Sequence, residues 1–471
     1  MAATAQGAPT KEFFVEMLTR DIDLNDAILD LLDNCLDGVL RLKKKDESSN
    51  FYEGYQAKIV VATDSFTIQD NCGGIPRDVA ETKAFRMGRP AGPAPENIPS
   101  VGIYGIGMKR AIFKMGKAAE VITVNGGKPY GVVIPLEWRT TPDSWTFPIT
   151  DDPEVPEFIK AGGTCVKIEQ LNEGIADQWR DEDLINSFVS KLISSIQKSY
   201  SFIIEKGFKI TVNDSPVTAN PTQLLASHAS AVGINPFVYK AMIDGVSVKL
   251  AIGLYTPLPS EEEIDEYNDA KRSSSEAGWT IVCNDRVVLY NDKTFVTGWG
   301  EAGVPNYHTQ FIGIKGIVIF ESNEPNKLPM TTTKRGVDLS SPIYAAVKDE
   351  MRKGLKLFTN YTNQWKGRLQ QEKAFSSQTK PLPVMELFEN STKLQELGVK
   401  TQSRKGAEQF SPALPKPENE KDYMIIRYSR PKEEIEFLSL ALFQEKIEEI
   451  GASAVGERCF ENVLKEERAR K

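Results

Sequence analysis

An α+β fold of more than one domain is predicted by the order of elements along the chain. A strongly amphipathic helix comes early. Short apolar strands divided by turn signals follow it, and a long helix then separates them from a second, strand-rich stretch. At 471 residues, the length suggests about three domains.

The first helix is read over 24–40. Ile28, Leu31, Leu32, Cys35 and Val39 recur at helical spacing and face a core, whereas Asp30, Asn34 and Asp37 stand at i, i+4 and i+7 and share another face. The polar stretch 41–56 reads as a loop. Residues 57–63 and 66–69 read as a hairpin. The segment 86–101 holds four prolines and two glycines, so no regular element fits it, and its length suits a mobile lid. A helix over 108–115 ends at Gly116. Strands follow at 119–124, 130–135 and 164–169, then a long helix at 181–199 and a strand at 208–213. The second region has strand candidates at 245–255, 279–290 and 312–320, a loop at 328–338 and a helix at about 341–366. Residues 370–422 are rich in Lys, Glu, Gln, Ser and Pro and read as a helical tail running into a linker. The end of the chain reads as the apolar strand MIIRY and amphipathic helices. The expected division is 1–215, 216–366, 367–422 and 423–471.

Composition narrows the function. The chain is 40% apolar and 26% charged with a net charge of −8, an ordinary globular balance that argues against a uniformly basic nucleic-acid binder. No apolar run reaches bilayer length, and the first residues lack a signal-peptide pattern. Five scattered cysteines without a CxxC pair argue against a disulfide framework or zinc site and fit a reducing cytosol. The two histidines, His228 and His308, leave little material for histidine chemistry.

Three polar blocks carry the chemistry. In Asp30-Leu-Leu-Asp-Asn34-Cys-Leu-Asp37-Gly38, Asn34 offers a neutral amide oxygen suited to Mg²⁺, and Asp30, one turn earlier, can orient or deprotonate a water attacking a γ-phosphate. A solvated acidic face is the plain alternative. In Asp70-Asn-Cys-Gly-Gly74-Ile75, a carboxylate at the end of a strand can accept the amino group of adenine, and the glycines admit the ring; the alternative is an Asx turn. In Gly102-Ile-Tyr-Gly105-Ile-Gly107-Met108-Lys109, freed amides at a helix N-terminus form an anion seat to which Lys109 can add a charge; the alternative is a hinge. It is not a Walker A loop. Thr164, after Gly162-Gly163, can bridge Asp70 and the adenine, or simply start a strand.

In this order the blocks resemble the GHKL ATPase superfamily of gyrase, the heat-shock chaperone ATPases, histidine kinases and MutL. Its Glu-x-x-x-Asn, Asp-Ala motif is matched by Asp30, Asn34, Asp37 and Gly38. Its Asp-x-Gly-x-Gly is matched at Asp70 and Gly74, with Cys72 in place of the middle glycine. Its glycine-rich lid end and Gly-Thr strand are matched at Gly102, Gly105, Gly107 and Thr164. The resemblance implies a Bergerat-type two-layer α/β sandwich holding ATP and Mg²⁺ under a lid. It also implies a transducer-like α/β domain, whose loop sends a lysine to the γ-phosphate, and a small C-terminal helical region. Lys334 is the matching lysine and Arg335 its rival. The departure at Asp30, one methylene shorter than the usual glutamate, implies that the helix sits closer, that a second water intervenes or that hydrolysis is slow.

Histidine kinases, chaperones and topoisomerases fit the chain poorly. The resemblance therefore implies a stand-alone MutL- or MORC-like ATPase that forms an ATP-dependent homodimer and acts on nucleic acid or a protein partner, with no membrane. The alternative is an ATP-sensing switch with little hydrolysis that signals to a partner protein. Phe13, Phe14, Met17 and Leu18 suit either an arm exchanged in that dimer or a helix packed on its own domain. Arg41-Leu-Lys-Lys-Lys45, the one dense basic run, reads as a solvated loop before a DNA contact.

Overall fold

The computed structural model describes residues 10–43, 50–87, 105–141, 144–227, 233–260, 263–264, 276–331, 334–389, 400–404, 406–417 and 429–470. Two compact units divide it, Met1–Pro417 and Glu418–Lys471. The larger is α+β and contains two principal sheets with separate cores.

The first sheet has eight strands in the order β5-β4-β3-β6-β2-β1-β7-β8. They are β1 (Gln56–Val61), β2 (Phe66–Asp70), β3 (Gly116–Asn125), β4 (Lys128–Ile134), β5 (Ile149–Thr150), β6 (Gly163–Leu171), β7 (Lys209–Val212) and β8 (Ser215–Pro216). The pairings are antiparallel except β1 with β7, so the sheet is mixed. Helices packed into the same core include α1 (Lys11–Thr19), α2 (Leu24–Leu42), α3 (Gly107–Met115) and α4 (Glu182–Glu205). Helix α2 buries Ile28, Leu31, Leu32, Cys35 and Val39, as its apolar spacing requires.

Helix α1 lies on its own domain. Its Lys11 ammonium is buried over the Trp138 ring and donates to the Trp138 carbonyl at 2.8 Å, while Phe13 and Met17 stay exposed.

The second sheet runs β13-β12-β14-β11-β10-β17-β16. Its strands are β10 (Phe237–Ile243), β11 (Val246–Leu254), β12 (Gly278–Cys283), β13 (Arg286–Asp292), β14 (Ile314–Glu321), β16 (Lys400–Arg404) and β17 (Ala407–Ser411). The expected strand at 279–290 is instead a hairpin, because Asn284 and Asp285 adopt positive φ and reverse the chain. Helix α5 (Pro342–Trp365) covers the sheet with Tyr344, Val347, Met351, Leu355, Phe358, Tyr361 and Trp365.

The segment after α5 differs from the expected tail and linker. Leu369–Ser376 is helical, but β15 (Thr379–Pro383) pairs with β9 (Gln223–Ser227), and β17 adds to the edge of the second sheet. Leu382 and Phe410 bury there with Leu224 and Val238, so a few apolar residues in a polar stretch suffice to dock it. The expected strand MIIRY lies outside the described residues. The smaller unit contains α6 (Lys432–Phe443) and α7 (Ala452–Ala469), in accord with the amphipathic helices expected there.

A Cβ on Gly354 of α5 would overlap the Ile252 Cγ2 methyl of β11. Gly354→Ala should therefore destabilise the protein by about 1–3 kcal/mol, although alanine is the better helix former. Urea unfolding would measure this, and an unchanged midpoint would contradict the close approach of helix to sheet.

Candidate functional site

From Ala27 to Leu40, every residue of α2 is buried except Asn34. A polar side chain left open on an otherwise covered helix is accessible to a ligand. The Asn34 amide oxygen is the kind of donor that suits Mg²⁺, which takes one or two protein ligands and fills its remaining positions with phosphate and water. Asp30, Asp33 and Asp37 are buried on the same helix.

Gly38 brings α2 against the turn after β2. A Cβ there would stand 2.6 Å from the Cys72 carbonyl oxygen and 2.8 Å from its Cβ. The Asp70 carboxylate accepts the Cys72 N–H at 2.8 Å, and β2 pairs Asp70 with Thr164 of β6. Burial pushes Asp70 up to about 6, outweighing the donors around it, among them the Cys72 N–H and the Cys35 thiol. Burial and the Asp70 charge push the Cys35 and Cys72 thiols well up, so both stay protonated. The departure at Cys72 thus places a neutral, buried thiol beside the acceptor.

The turn continues through Gly74 at φ +71°, where a Cβ would overlap the Val124 carbonyl oxygen. The Ile75 N–H donates to Thr123 Oγ1 at 2.8 Å, and that hydroxyl donates to the Gly163 carbonyl at 3.1 Å and lies 3.4 Å from Thr164 Oγ1. Thr123 was not singled out from the sequence. Its signal is a lone hydroxyl within the apolar run EVITV.

Gly105, at φ +68°, leads into α3, which begins at Gly107. A Cβ on Gly107 would stand 3.4 Å from Asp30 Cβ and Oδ2, so the N-terminus of α3 abuts the carboxylate. Met108 is half-buried. Gly102 and most of the expected lid lie outside the described residues.

Lys109 differs from the expectation of a charge aimed at phosphate. It sits on the inner side of α3, 2% exposed, and its ammonium donates to the Ala84 carbonyl at 2.8 Å and to the Gly105 carbonyl. Burial lowers it to about 8. The cation beside Asp30 is instead Arg110, whose guanidinium donates to Asp30 Oδ2.

Lys334 arrives from the loop before α5, beside the second sheet. It adopts φ +57°, rare for a side-chain-bearing residue, in a turn closed by its N–H donating to the Thr331 carbonyl at 2.9 Å. Its ammonium donates to Asp33 Oδ2 at 2.7 Å and stands 4.0 Å from Asp30 Oδ1. Arg335 pairs with Asp26, one turn earlier on α2. Arg286 of β13 donates to Asp33 Oδ1 at 3.1 Å and lies 4.3 Å from the centre of the Tyr200 ring. The Tyr200 hydroxyl is 2.7 Å from the same Oδ1. Burial would raise the Asp33 carboxyl, but the Lys334 and Arg286 charges hold it below the usual range.

The structure thus brings Asp30 and Lys334 together, with Gly107 beside them, and gathers Asp70, Gly74, Ile75 and Thr164 around the β2 turn. Ion pairs at this end of α2 join three carboxylates, Asp26, Asp30 and Asp33, to four cations, Arg110, Arg286, Lys334 and Arg335.

Residues 22–151 match the family described as histidine kinase-, DNA gyrase B-, and HSP90-like ATPase. This stretch is a GHKL ATPase domain. The match spans the residues from Asp30 to Lys109, and Thr164 and Lys334 lie beyond it. GHKL domains bind ATP, and the match supports ATP binding here. A search of the curated proteins gave no match to the chain. Among the described residues, no helix is long and apolar enough to cross a membrane, and no group of three or more His, Cys, Asp or Glu side chains is placed to hold a metal. The amide of Asn34 is a donor outside those residue types.

The raised Asp70 carboxyl predicts a pH-dependent variant. An acid whose folded value lies above its unfolded one binds more protons when folded, so ionisation removes stability as pH rises from about 4 through about 6. Asp70→Asn should gain on the order of 1–3 kcal/mol over the parent at neutral pH, and nothing near pH 4. It should also lose nucleotide binding. Chemical denaturation across pH, with a nucleotide titration, would check both; a variant less stable than the parent at neutral pH would contradict the assignment.

Proposed function

We propose that this chain is a slow, Mg²⁺-dependent ATPase of MutL- or MORC-like style, in which ATP closes a lid and brings two copies together. The observation that carries this reading is the 4.0 Å approach of Lys334, from a separate sheet domain, to Asp30 in the GHKL domain. A lysine reaching across domains to the turn of α2 next to Asn34 can report whether a γ-phosphate is present.

The roles follow from chemistry. Asp70 accepts the adenine amino group, with Thr164 and Thr123 arranging the turn that receives the ring. Amides at Gly105 and Gly107, at the start of α3, face the phosphates, with Met108 beside them. Asn34 would hold Mg²⁺, which supplies charge neutralisation on the phosphates when bound. Asp37 and Gly38 keep α2 seated on the β2 turn. Asp30 orients the attacking water as general base, and Lys334 stabilises charge developing on the γ-phosphoryl group as it passes to water and ADP leaves. Lys109 fastens the start of α3 to the Ala84 carbonyl and takes no phosphate. The second domain acts as a transducer that converts the position of Lys334 into domain angle, and nucleic acid or a protein is the partner, in the cytosol.

A second reading is favoured by one observation: Asp30 is paired with Arg110. A carboxylate oxygen that already accepts from a guanidinium is occupied when a water arrives, and a carboxylate misplaced by about 1 Å can cost roughly 10²-fold in rate. The chain then serves as an ATP-sensing switch that hydrolyses little.

Turnover of the purified protein, with and without DNA, separates the two. Stimulation that falls steeply with salt supports a nucleic-acid clamp; firm ATP binding with near-zero turnover supports the switch. Asp30→Ala should keep ATP binding and lose turnover, and a parental rate would remove Asp30 as base. Lys334→Ala should lower turnover by about 10²–10³ while sparing ADP affinity; equal loss of both would place Lys334 outside γ-phosphate contact.

A further inference from the structure

Asp33 lies between the residues assigned above and has no role among them. It is 1% exposed, yet donors from three separate elements converge on it. Lys334 of the loop before α5 reaches Oδ2 at 2.7 Å, and Arg286 of β13 and Tyr200 of α4 reach Oδ1 at 3.1 Å and 2.7 Å. We propose that Asp33 is the positioning residue for Lys334, fixing its ammonium beside Asp30 and coupling that position to the second domain through Arg286. The proposal rests on the reading of Lys334 as the γ-phosphate contact.

Three features support it. A free lysine side chain spreads over many rotamers, and ordering it on a ligand costs up to about 2 kcal/mol; an ammonium already tethered avoids part of that cost at the moment of binding. An ammonium has three donors. Asp33 takes one, and Asp30 at 4.0 Å is too far to take another, which leaves capacity for phosphate oxygens. Asp33 itself is held in place, since Arg286 also donates to the Ser199 and Val287 carbonyls. The anchor therefore stays when the ligand arrives, and a displacement of Lys334 is passed to β13 rather than lost in a mobile carboxylate. The left-handed backbone at Lys334 fits the same account: a conformation that costs on the order of 1–2 kcal/mol persists where surrounding contacts over-determine it.

The test uses the full chain with Asp33→Asn, Lys334→Met and the double variant, each checked for fold by circular dichroism. Single-turnover hydrolysis and separate ATP and ADP affinities are measured. Asp33→Asn should lower the hydrolysis rate about tenfold, leave ADP affinity within about twofold, and lower the rate no further in the Lys334→Met background, as expected for a residue acting through another. Where hydrolysis is too slow to follow, the ratio of ATP to ADP affinity should show the same pattern. A folded Asp33→Asn with the parental rate and affinity ratio overturns the proposal, as does a further tenfold loss in the Lys334→Met background. If Asp33→Asn does not fold, Tyr200→Phe removes one neutral donor and keeps the ring beside Arg286. A two- to threefold loss that disappears in the Lys334→Met background is expected from the loss of one neutral hydrogen bond, and equal loss in both backgrounds overturns the proposal. A parent chain that binds no ATP would instead defeat the reading of the whole site, so the two failures are distinguishable.

Discussion

A carboxylate shut away from water must find cations, and Asp33 finds both of its cations in the second domain. Removing one partner of such a buried pair typically costs about 3–5 kcal/mol, although the complete pair adds little over an apolar contact of equal size. Its value lies in where it forces chain segments to be. The β12–β13 hairpin and the Lys334 loop have to meet α2 at one turn, which is the turn that also carries Asp30 and Asn34. Lys206 and Asp285, paired at 2.6 Å, repeat the arrangement further along, joining the end of α4 to the same hairpin. The meeting of the second sheet with α2 is therefore set by ion pairs whose geometry is exacting, beside a site proposed to take an anion.

The two ends of the site handle buried charge in opposite ways. Asp33 is surrounded by full cations and held below the usual carboxylate range. Asp70 is also buried, but it accepts from a backbone amide and a thiol and feels Arg41 only as a nearby charge, and its carboxyl rises to about 6. An acceptor left under-satisfied in the ground state has the most to gain from a donor that arrives with a ligand. The same logic explains how Cys72 can stand in a glycine position. The close approach of Gly38 is accommodated by Cys72, and the raised thiol adds no second negative charge next to Asp70.

Much of this was legible in the sequence wherever a local rule sufficed. The periodicity of α2 gave its buried and polar faces, and glycines marked the turn after β2 and the start of α3. Lys334 could be found only by resemblance, because a basic turn after a strand has no local signature of its partner. Arg110 and Lys109 show the limit: adjacent cations at the head of a helix look equivalent in sequence, and which one meets Asp30 depends on which side of α3 faces the core. Asp33, Arg286 and Tyr200 are far apart along the chain and become a unit only through tertiary packing. The hairpin inside 279–290 and the strands after 378 were missed for related reasons: Asn284-Asp285 breaks an unbroken apolar run, and Leu382 and Phe410 are lone anchors in polar surroundings.

The shorter base at position 30 fits the packing around it. Gly107, the first residue of α3, faces the Asp30 side chain, which a Cβ there would meet at 3.4 Å, and Arg110 from the same helix closes over its carboxylate. An added methylene would have to fit between two helices already in contact, and overpacking of this kind displaces backbone or forces strained rotamers. A longer side chain at position 30 would therefore press on the start of α3, the segment whose amides are proposed to meet the phosphates. Aspartate leaves that helix N-terminus close in.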